Sequence, residues 1–508
     1  MNMPPVNRRQ FLLSSASART GLAFQVSPGS AFQAGFAERD ITPDIGSEQP
    51  GDYRKSFHTK FHDACKVRAA VFDDAKTRVA LVGVDALALP RALVLTARKE
   101  IRGRTGIAEN AVLIGASHSH SSGPTAMVLP GEFDRSSPLV QRLAYQDSSC
   151  ADRGYLDRVR AEIVHAVALA SDSRQKALCG VGFGHEDKAA YNRRFRMKNG
   201  RTYTHPHQGN PDIVGYAGPI DPQVGVIGAW SQDGRLLGSI VNYACHATTN
   251  PGGISANWIH YLEKTIRGAT ASDVPVVFLQ GACGDITQVD NLSPYAYPDG
   301  EHWAQFVGGR VGAEAVKTLL SITPAPLDPL AARSTVMSIK RRPPSPVHVK
   351  RAYEIVAQDP KQAGLTEWTF AKETVLLSDL IAREPAVDVE VQAIQIGPAV
   401  FLTNPTELFV EYGLALKKQS PFPFTFPVEL ANGCVGYVPT EEAFGPHGGG
   451  YETRLTSYSN LEISAGNQMV AAGLQLARDL TPGKTPEPPQ APSFTGAWSY
   501  GDVPPELS

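Results

Sequence analysis

His118 and His120, in the stretch 115–124 reading GASHSHSSGP, set two imidazoles one residue apart directly after an apolar, strand-like run. Imidazole nitrogen ligates metals and carries protons near neutral pH, so the pair suits a metal site or acid–base chemistry. In an extended chain alternate side chains share a face and both rings can converge, whereas on a helix they diverge by roughly 200°. For the pair alone two readings stand open: ligands at a strand end, or polar turn residues bonded to backbone. Further ligand types at similar places favour the first. His246 closes the apolar run in SIVNYACHATTN, and Glu407 follows AVFLT after a Pro-containing turn. In α/β sheets ligands gather at the carboxyl ends of strands, where loops converge. Two imidazoles and a carboxylate are a donor set typical of catalytic zinc (Zn2+), which keeps a position open for water.

Other segments carry weaker signals. The run 280–287 (QGACGDIT) follows the strand-like VPVVFL, and Gly281 and Gly284 permit a tight turn and a close ligand approach. Asp285 and Thr287 are expected to face the same cavity, although an ordinary Gly-rich turn has the same composition. Tyr437 lies in NGCVGYVPT (432–440) and Tyr451 closes GGGY (448–451). Tyrosine is usually a core or rim residue, but near a metal a phenol can ligate or donate to a developing oxyanion. Arg193 belongs to the basic loop YNRRFRMKNGR, whose default reading is a solvated charge cluster.

The elements that must position these residues alternate in type. The runs 78–87 and 111–116 read as strands around a helical segment at 91–102. Apolar residues at 156, 159, 163, 166 and 167 mark a helix that covers a sheet, and 303–320 marks another. Further strands are expected at 224–230, 236–244, 275–279, 389–396 and 399–402. The class is α/β: a large mixed sheet with covering helices and the site at the strand C-terminal ends. The Pro-rich stretch 341–346 and two helical segments up to about Arg383 fit either an insertion or a subdomain boundary.

A chain of 508 residues, 42% hydrophobic and 19% charged, can bury a substantial core. Lys plus Arg number 48 against 50 Asp plus Glu, with no basic stripe to track a phosphate backbone, so no nucleic-acid partner is expected. No apolar stretch approaches the ~20 residues of a membrane span. The six cysteines are too few for a disulfide framework and form no Cys-x-x-Cys pair, so burial as small hydrophobes is expected of them. Arg8-Arg9-x-Phe11-Leu12 resembles a twin-arginine export signal, which implies a periplasmic location; a basic tail is the alternative. Residues 1–30 are thus read as leader or tail, 31–480 as the folded body and 481–508 as a Pro-rich tail.

Taken in order, AERDITPDIG (37–46), HSHSSGP (118–124), PGEF (130–133), NRR (192–194), CH (245–246), GDIT (284–287) and GYVPT (436–440) resemble the motifs of the neutral/alkaline, non-lysosomal ceramidase family. That resemblance implies a zinc-dependent amidase whose substrate is ceramide or a related N-acyl lipid. It implies His118, His246, Glu407 and Tyr437 as zinc ligands and His120 as an acid/base or supporting group. It also implies Arg193 as a substrate-site residue and Tyr451 as an oxyanion or substrate contact. The chain departs from the family at Thr287-Gln288, where the family has Ser-Pro, and in an expanded Gly-rich segment, GPHGGG (445–450). With its end at Ser508, the β-sandwich domain that follows the catalytic domain in ceramidases is expected to be absent. The same scaffold acting on a polar substrate is the alternative, suggested by NGRTYTHPHQGNPD (199–212).

Overall fold

The computed structural model describes residues 31–498, 501 and 503–508. The export-signal reading therefore falls outside the described residues.

The largest sheet has eight strands in the order Val276–Gln280, Leu236–Tyr243, Gln223–Ser231, Gln175–His185, Gln33–Asp40, Lys66–Asp73, Arg78–Val84 and Val112–Ala116. Its outermost pairs are parallel and the inner ones antiparallel, so the sheet is mixed. At its centre Gln33–Asp40 and Gln175–His185 share only two residue pairs, Gln33↔Lys176 and Ala34↔Gln175. The sheet folds at this weak joint, and its halves face each other. Gly83 shows how closely: a Cβ there would lie 2.3 Å from the Phe278 carbonyl oxygen on the opposite half. The Arg91–Thr105 and Arg153–Asp172 helices cover the outside of one half, and the Trp258–Thr270 and Gly300–Ser321 helices cover the other. Strands enclosed on both faces read as near-continuous apolar runs, and Val67, Ala69, Val71 and Phe72 are all buried.

A second sheet orders Leu330–Lys340, Ala386–Ile396, Ala399–Thr403 and Phe424–Val428. It meets the first where Ala116 N donates to Leu430 O and Asn432 N donates to Ile114 O. That junction brings the end of the Val112–Ala116 strand to the end of Ala399–Thr403. No helix among the described residues is long and apolar enough to cross a membrane.

The segment left open between insertion and boundary is a helical hairpin, Pro346–Val356 and Leu365–Arg383, set between the antiparallel partners Leu330–Lys340 and Ala386–Ile396. It has a small core of its own, in which Ala352, Val356, Trp368 and Val375 pack with Phe133 of the PGEF stretch. Lys372 is fully buried there, and its Nζ donates to Tyr53 O, to Asp147 O and to Ser148 Oγ at 2.7 Å. A buried ammonium with three oxygens around it holds the hairpin against the loops that wall the site.

Candidate active site

The strand carrying the His pair stops at Ala116, and His118 has φ of 62°. The two imidazoles therefore converge through a left-handed kink, which corrects the expectation of strand alternation. Backbone contacts lock the arrangement: His120 N donates to Ala247 O at 3.1 Å, and His246 N donates to Ile286 O at 3.1 Å. Glu407 opens a two-residue strand, Glu407–Leu408, that pairs in parallel with Tyr437–Val438 so that Glu407 stands opposite Tyr437.

His118 Nδ1 lies 2.9 Å from Leu87 O and His246 Nδ1 lies 3.0 Å from Ile286 O. A carbonyl only accepts, so each Nδ1 carries the proton and each Nε2 turns a lone pair inward. Both Nε2 atoms lie 3.2 Å from Glu407 Oε2, an oxygen with no hydrogen-bond donor. His120 Nε2 is 3.4 Å from His118 Nε2. Donors held about 2.0–2.1 Å from zinc at tetrahedral angles stand roughly 3.3 Å apart, so these separations and this N/O set fit the metal. Burial pushes the His118 imidazole down, and the adjacent Glu407 carboxylate overcomes it and raises it. Burial, Arg193 and His118 bring His246 down to about 3, so it stays neutral. Burial with His118 and His246 also keeps His120 well below the usual imidazole range.

Arg193 is buried at the centre of this site, contrary to its default reading as a solvated charge. Its Nε donates to Glu452 Oε1 at 2.9 Å, its Nη2 donates to Gly284 O at 2.7 Å and to Tyr437 Oη at 3.2 Å, and its Nη1 faces His246 Nε2 at 3.2 Å. The Gly-rich run before Tyr451 lies against the Thr202–Thr204 strand: a Cβ on Gly449 would meet Thr202 O at 2.7 Å. This register brings the hydroxyls of Tyr437 and Tyr451 within 2.8 Å of each other.

Asp285 and Thr287 do not line the cavity, which corrects their expected orientation. Asp285 Oδ1 accepts from Val410 N at 2.8 Å and Oδ2 accepts from Asn192 Nδ2 at 2.7 Å, so the carboxylate is spent on holding loops together. Thr287 Oγ1 donates to Gln288 Oε1 at 2.9 Å. Residues not singled out from sequence complete the site. Glu452 anchors Arg193, and Tyr53, Met127, Phe370 and Tyr458 wall a cavity of about 330 Å3 that holds His118, His120, Glu407, Tyr437 and Tyr451. Tyr53 and Phe370 are remote in the chain from the singled-out residues, and Glu452, Met127 and Tyr458, though near Tyr451 or His120, are ordinary in type, so no local signal marks them. Cys283 is more than a small hydrophobe: its Sγ donates to Glu429 Oε1 at 2.9 Å, while Glu429 Oε2 accepts from Leu408 N at 2.9 Å beside Glu407.

Gly51 sets the place of the second imidazole. It has φ of 104°, and a Cβ there would lie 2.3 Å from His120 Nδ1. Gly51→Ala is expected to displace that ring and lower kcat by ~10–100-fold while bound metal is retained. Parallel measurement of kcat and metal content checks this, and an unimpaired kcat would show that the ring position is not critical.

No protein-family model matches the sequence. A stretch of 202 residues, 37% of this chain, is 26% identical to the neutral ceramidase of Pseudomonas aeruginosa and spans 26% of that protein. The match thus covers about a quarter of that relative's length. Among solved structures, a ceramidase complexed with C2 superposes with a TM-score of 0.65 at 18% identity, over 90% of this chain and 78% of that one. The crystal structure of the neutral ceramidase from Pseudomonas aeruginosa gives 0.63 at 19% identity, over 90% and 77%. The chain is a mixed α/β protein with the fold of the solved neutral ceramidases, and part of its sequence is similar to one of them, in line with the resemblance of its ordered motifs.

Proposed function

We propose that the protein is a zinc-dependent hydrolase that cleaves an N-acyl amide bond. The observation that carries this reading is the donorless Glu407 Oε2, buried between the inward-facing Nε2 atoms of His118 and His246. A buried carboxylate oxygen that has no donor and lies 3.2 Å from two imidazole nitrogens is costly unless a cation joins them, and of these three atoms His246 Nε2 has a guanidinium donor beside it, Arg193 Nη1 at 3.2 Å. His118, His246 and Glu407, with Tyr437 as a further ligand, would hold zinc. Bound there, zinc supplies a water of lowered pKa and polarises the substrate carbonyl.

The protein's own groups divide the remaining work. Neutral His120 Nε2 is equipped to take a proton and to return it to the departing amine nitrogen. The Tyr451 hydroxyl, in contact with that of Tyr437, is placed to donate to the developing oxyanion. Arg193 fixes the Tyr437 phenol and lies within 5.2 Å of the Tyr451 ring centre. Phe370, Met127 and Tyr53 exclude water and offer apolar surface to an acyl chain.

The polar-substrate alternative gains no support from the cavity lining, to which no residue of the 199–212 segment contributes. The substrate test is release of fatty acid from N-acyl sphingosine by purified protein, followed through chelation and zinc return. Expected are about one zinc per chain, loss of activity on chelation and recovery with zinc. Zinc without acyl release would discard the substrate, and activity indifferent to chelation would discard the mechanism.

A further inference from the structure

Beyond Phe370 lies a second cavity, about 540 Å3, lined by Arg342, Arg351, Arg454, His348 and Glu367 among others. Phe370 lines both cavities. Tyr451, in the first, and Thr453 to Leu455, in the second, belong to one short stretch of chain. The two spaces are therefore neighbours across one aromatic wall, on which the Arg454 guanidinium stacks at 3.5 Å from the ring centre.

The charge of this second cavity is unbalanced. Three arginines line it against one acidic residue, Glu367. Arg342 is committed in part, since its Nε donates to Leu461 O at 2.8 Å and its plane covers the Phe444 ring. Arg351 and Arg454 are solvent-facing. The first turn of the Pro346–Val356 helix also opens here, between Pro344 and His348, and adds the partial positive charge of a helix N-terminus. Guanidiniums that line a common cavity can recognise planar or tetrahedral anions by paired hydrogen bonds. A catalytic cavity of about 330 Å3 sits at the small end of ligand pockets (~300–1,000 Å3), so a substrate with a long acyl chain and a head group must extend past it.

We infer that, among N-acyl amides, the site prefers those with an anionic head group, carboxylate, sulfonate or phosphate, which the Arg351–Arg454 cavity holds while the amide lies in the metal cavity. This rests on the proposed amide hydrolysis. The anion gives specificity that the aromatic pocket cannot, because aromatic walls accept any acyl chain of suitable length.

The test compares N-lauroyl taurine, which is anionic, with N-lauroyl ethanolamine, which is neutral, at equal chain length. Zinc-loaded protein is expected to favour the anionic compound in kcat/KM by about tenfold, carried by KM, with the preference shrinking as salt rises. In Arg351→Gln and in the Arg351→Gln/Arg454→Gln pair, the ratio should fall towards one. Hydrolysis of both compounds at equal efficiency, or a ratio untouched by the substitutions, would overturn the inference and leave the proposed function standing. If neither compound is hydrolysed, the proposed function fails for these substrates and calorimetry on metal-free protein decides the cavity. N-lauroyl taurine binding about tenfold tighter to the parent protein than to Arg351→Gln supports it, and equal binding overturns it. Adsorption to anionic vesicles with no head-group discrimination among soluble substrates would reassign the cavity to a membrane contact and overturn it too.

Discussion

Glu407→Gln is expected to abolish zinc binding and to lower amide hydrolysis by at least ~10³-fold, the rate equivalent of several kcal/mol of lost Lewis-acid stabilisation. The carboxamide keeps the size of the carboxylate and removes its charge. That charge matters because burial raises the carboxyl, and His118 and His246 overcome it and hold it well below its usual range. A neutral carboxamide also turns its NH2 or its carbonyl at an imidazole lone pair and cannot balance a divalent ion. Two readouts separate loss of metal from loss of fold. Elemental analysis should show little zinc, and the melting temperature should no longer rise on zinc addition, whereas the parent gains about 2.7 kcal/mol at a hundred times Kd. A variant that still binds zinc at full stoichiometry and turns over would refute Glu407 as a ligand.

The largest stability effect is expected from Glu263→Gln, at a residue that does not line the site cavity. Arg68 is buried at 2% exposure and bonds both Asp85, at 2.8 Å, and Glu263. Removing one partner of a buried pair leaves charge uncompensated, and the expected cost is about 3–5 kcal/mol. The pH dependence follows from the same contacts. Burial pushes the Glu263 carboxyl up, but Arg68, Lys66 and Arg267 outweigh it and bring it down to about 2. Asp85, with fewer cations around it, is pushed up by burial to about 6 despite Arg68. A carboxyl lowered on folding stabilises above its unfolded value and loses that contribution as pH falls through the folded one. The gap in unfolding free energy between parent and variant should therefore be full above pH about 4.5 and shrink towards pH about 2. Urea midpoints at pH 5, 4 and 3 measure it, and a gap that widens on acidification would contradict the assignment.

Much of the site was legible because few residue types can ligate a cation or carry a proton near neutral pH. His118, His246 and Glu407 each follow an apolar strand, and the tertiary fold brings them together in the expected way. Strands that alternate with glycine were harder to read. Gln175–His185 was not anticipated, since Gly180, Gly182 and Gly184 weaken a strand pattern. The reason is a contact: Cβ atoms at Gly180 and Gly182 would lie within 3.0 Å of the Ile322 side chain. Likewise Leu330–Lys340 buries only Leu330, Ala332 and Ile339, so this edge strand has no clean period-two pattern, and its partner is known only from the fold.

Arg193 and Asp285 show where the limit lies. Sequence states that one is cationic and the other anionic, but not what surrounds them. Whether a charge is solvated or buried depends on partners hundreds of residues away, such as Glu452 for Arg193 and Val410 for Asp285. What the sequence determined by itself was local: the apolar periodicities that set the α/β class, and the donor types at the strand ends. What only the tertiary structure decided was convergence: the left-handed kink at His118, the pairing of Glu407 with Tyr437 and the second cavity behind Phe370. Side-chain chemistry and hydrophobic spacing are properties of neighbours in the chain, whereas distance across a site is a property of how whole sheets pack, and packing is set by the chain as a whole.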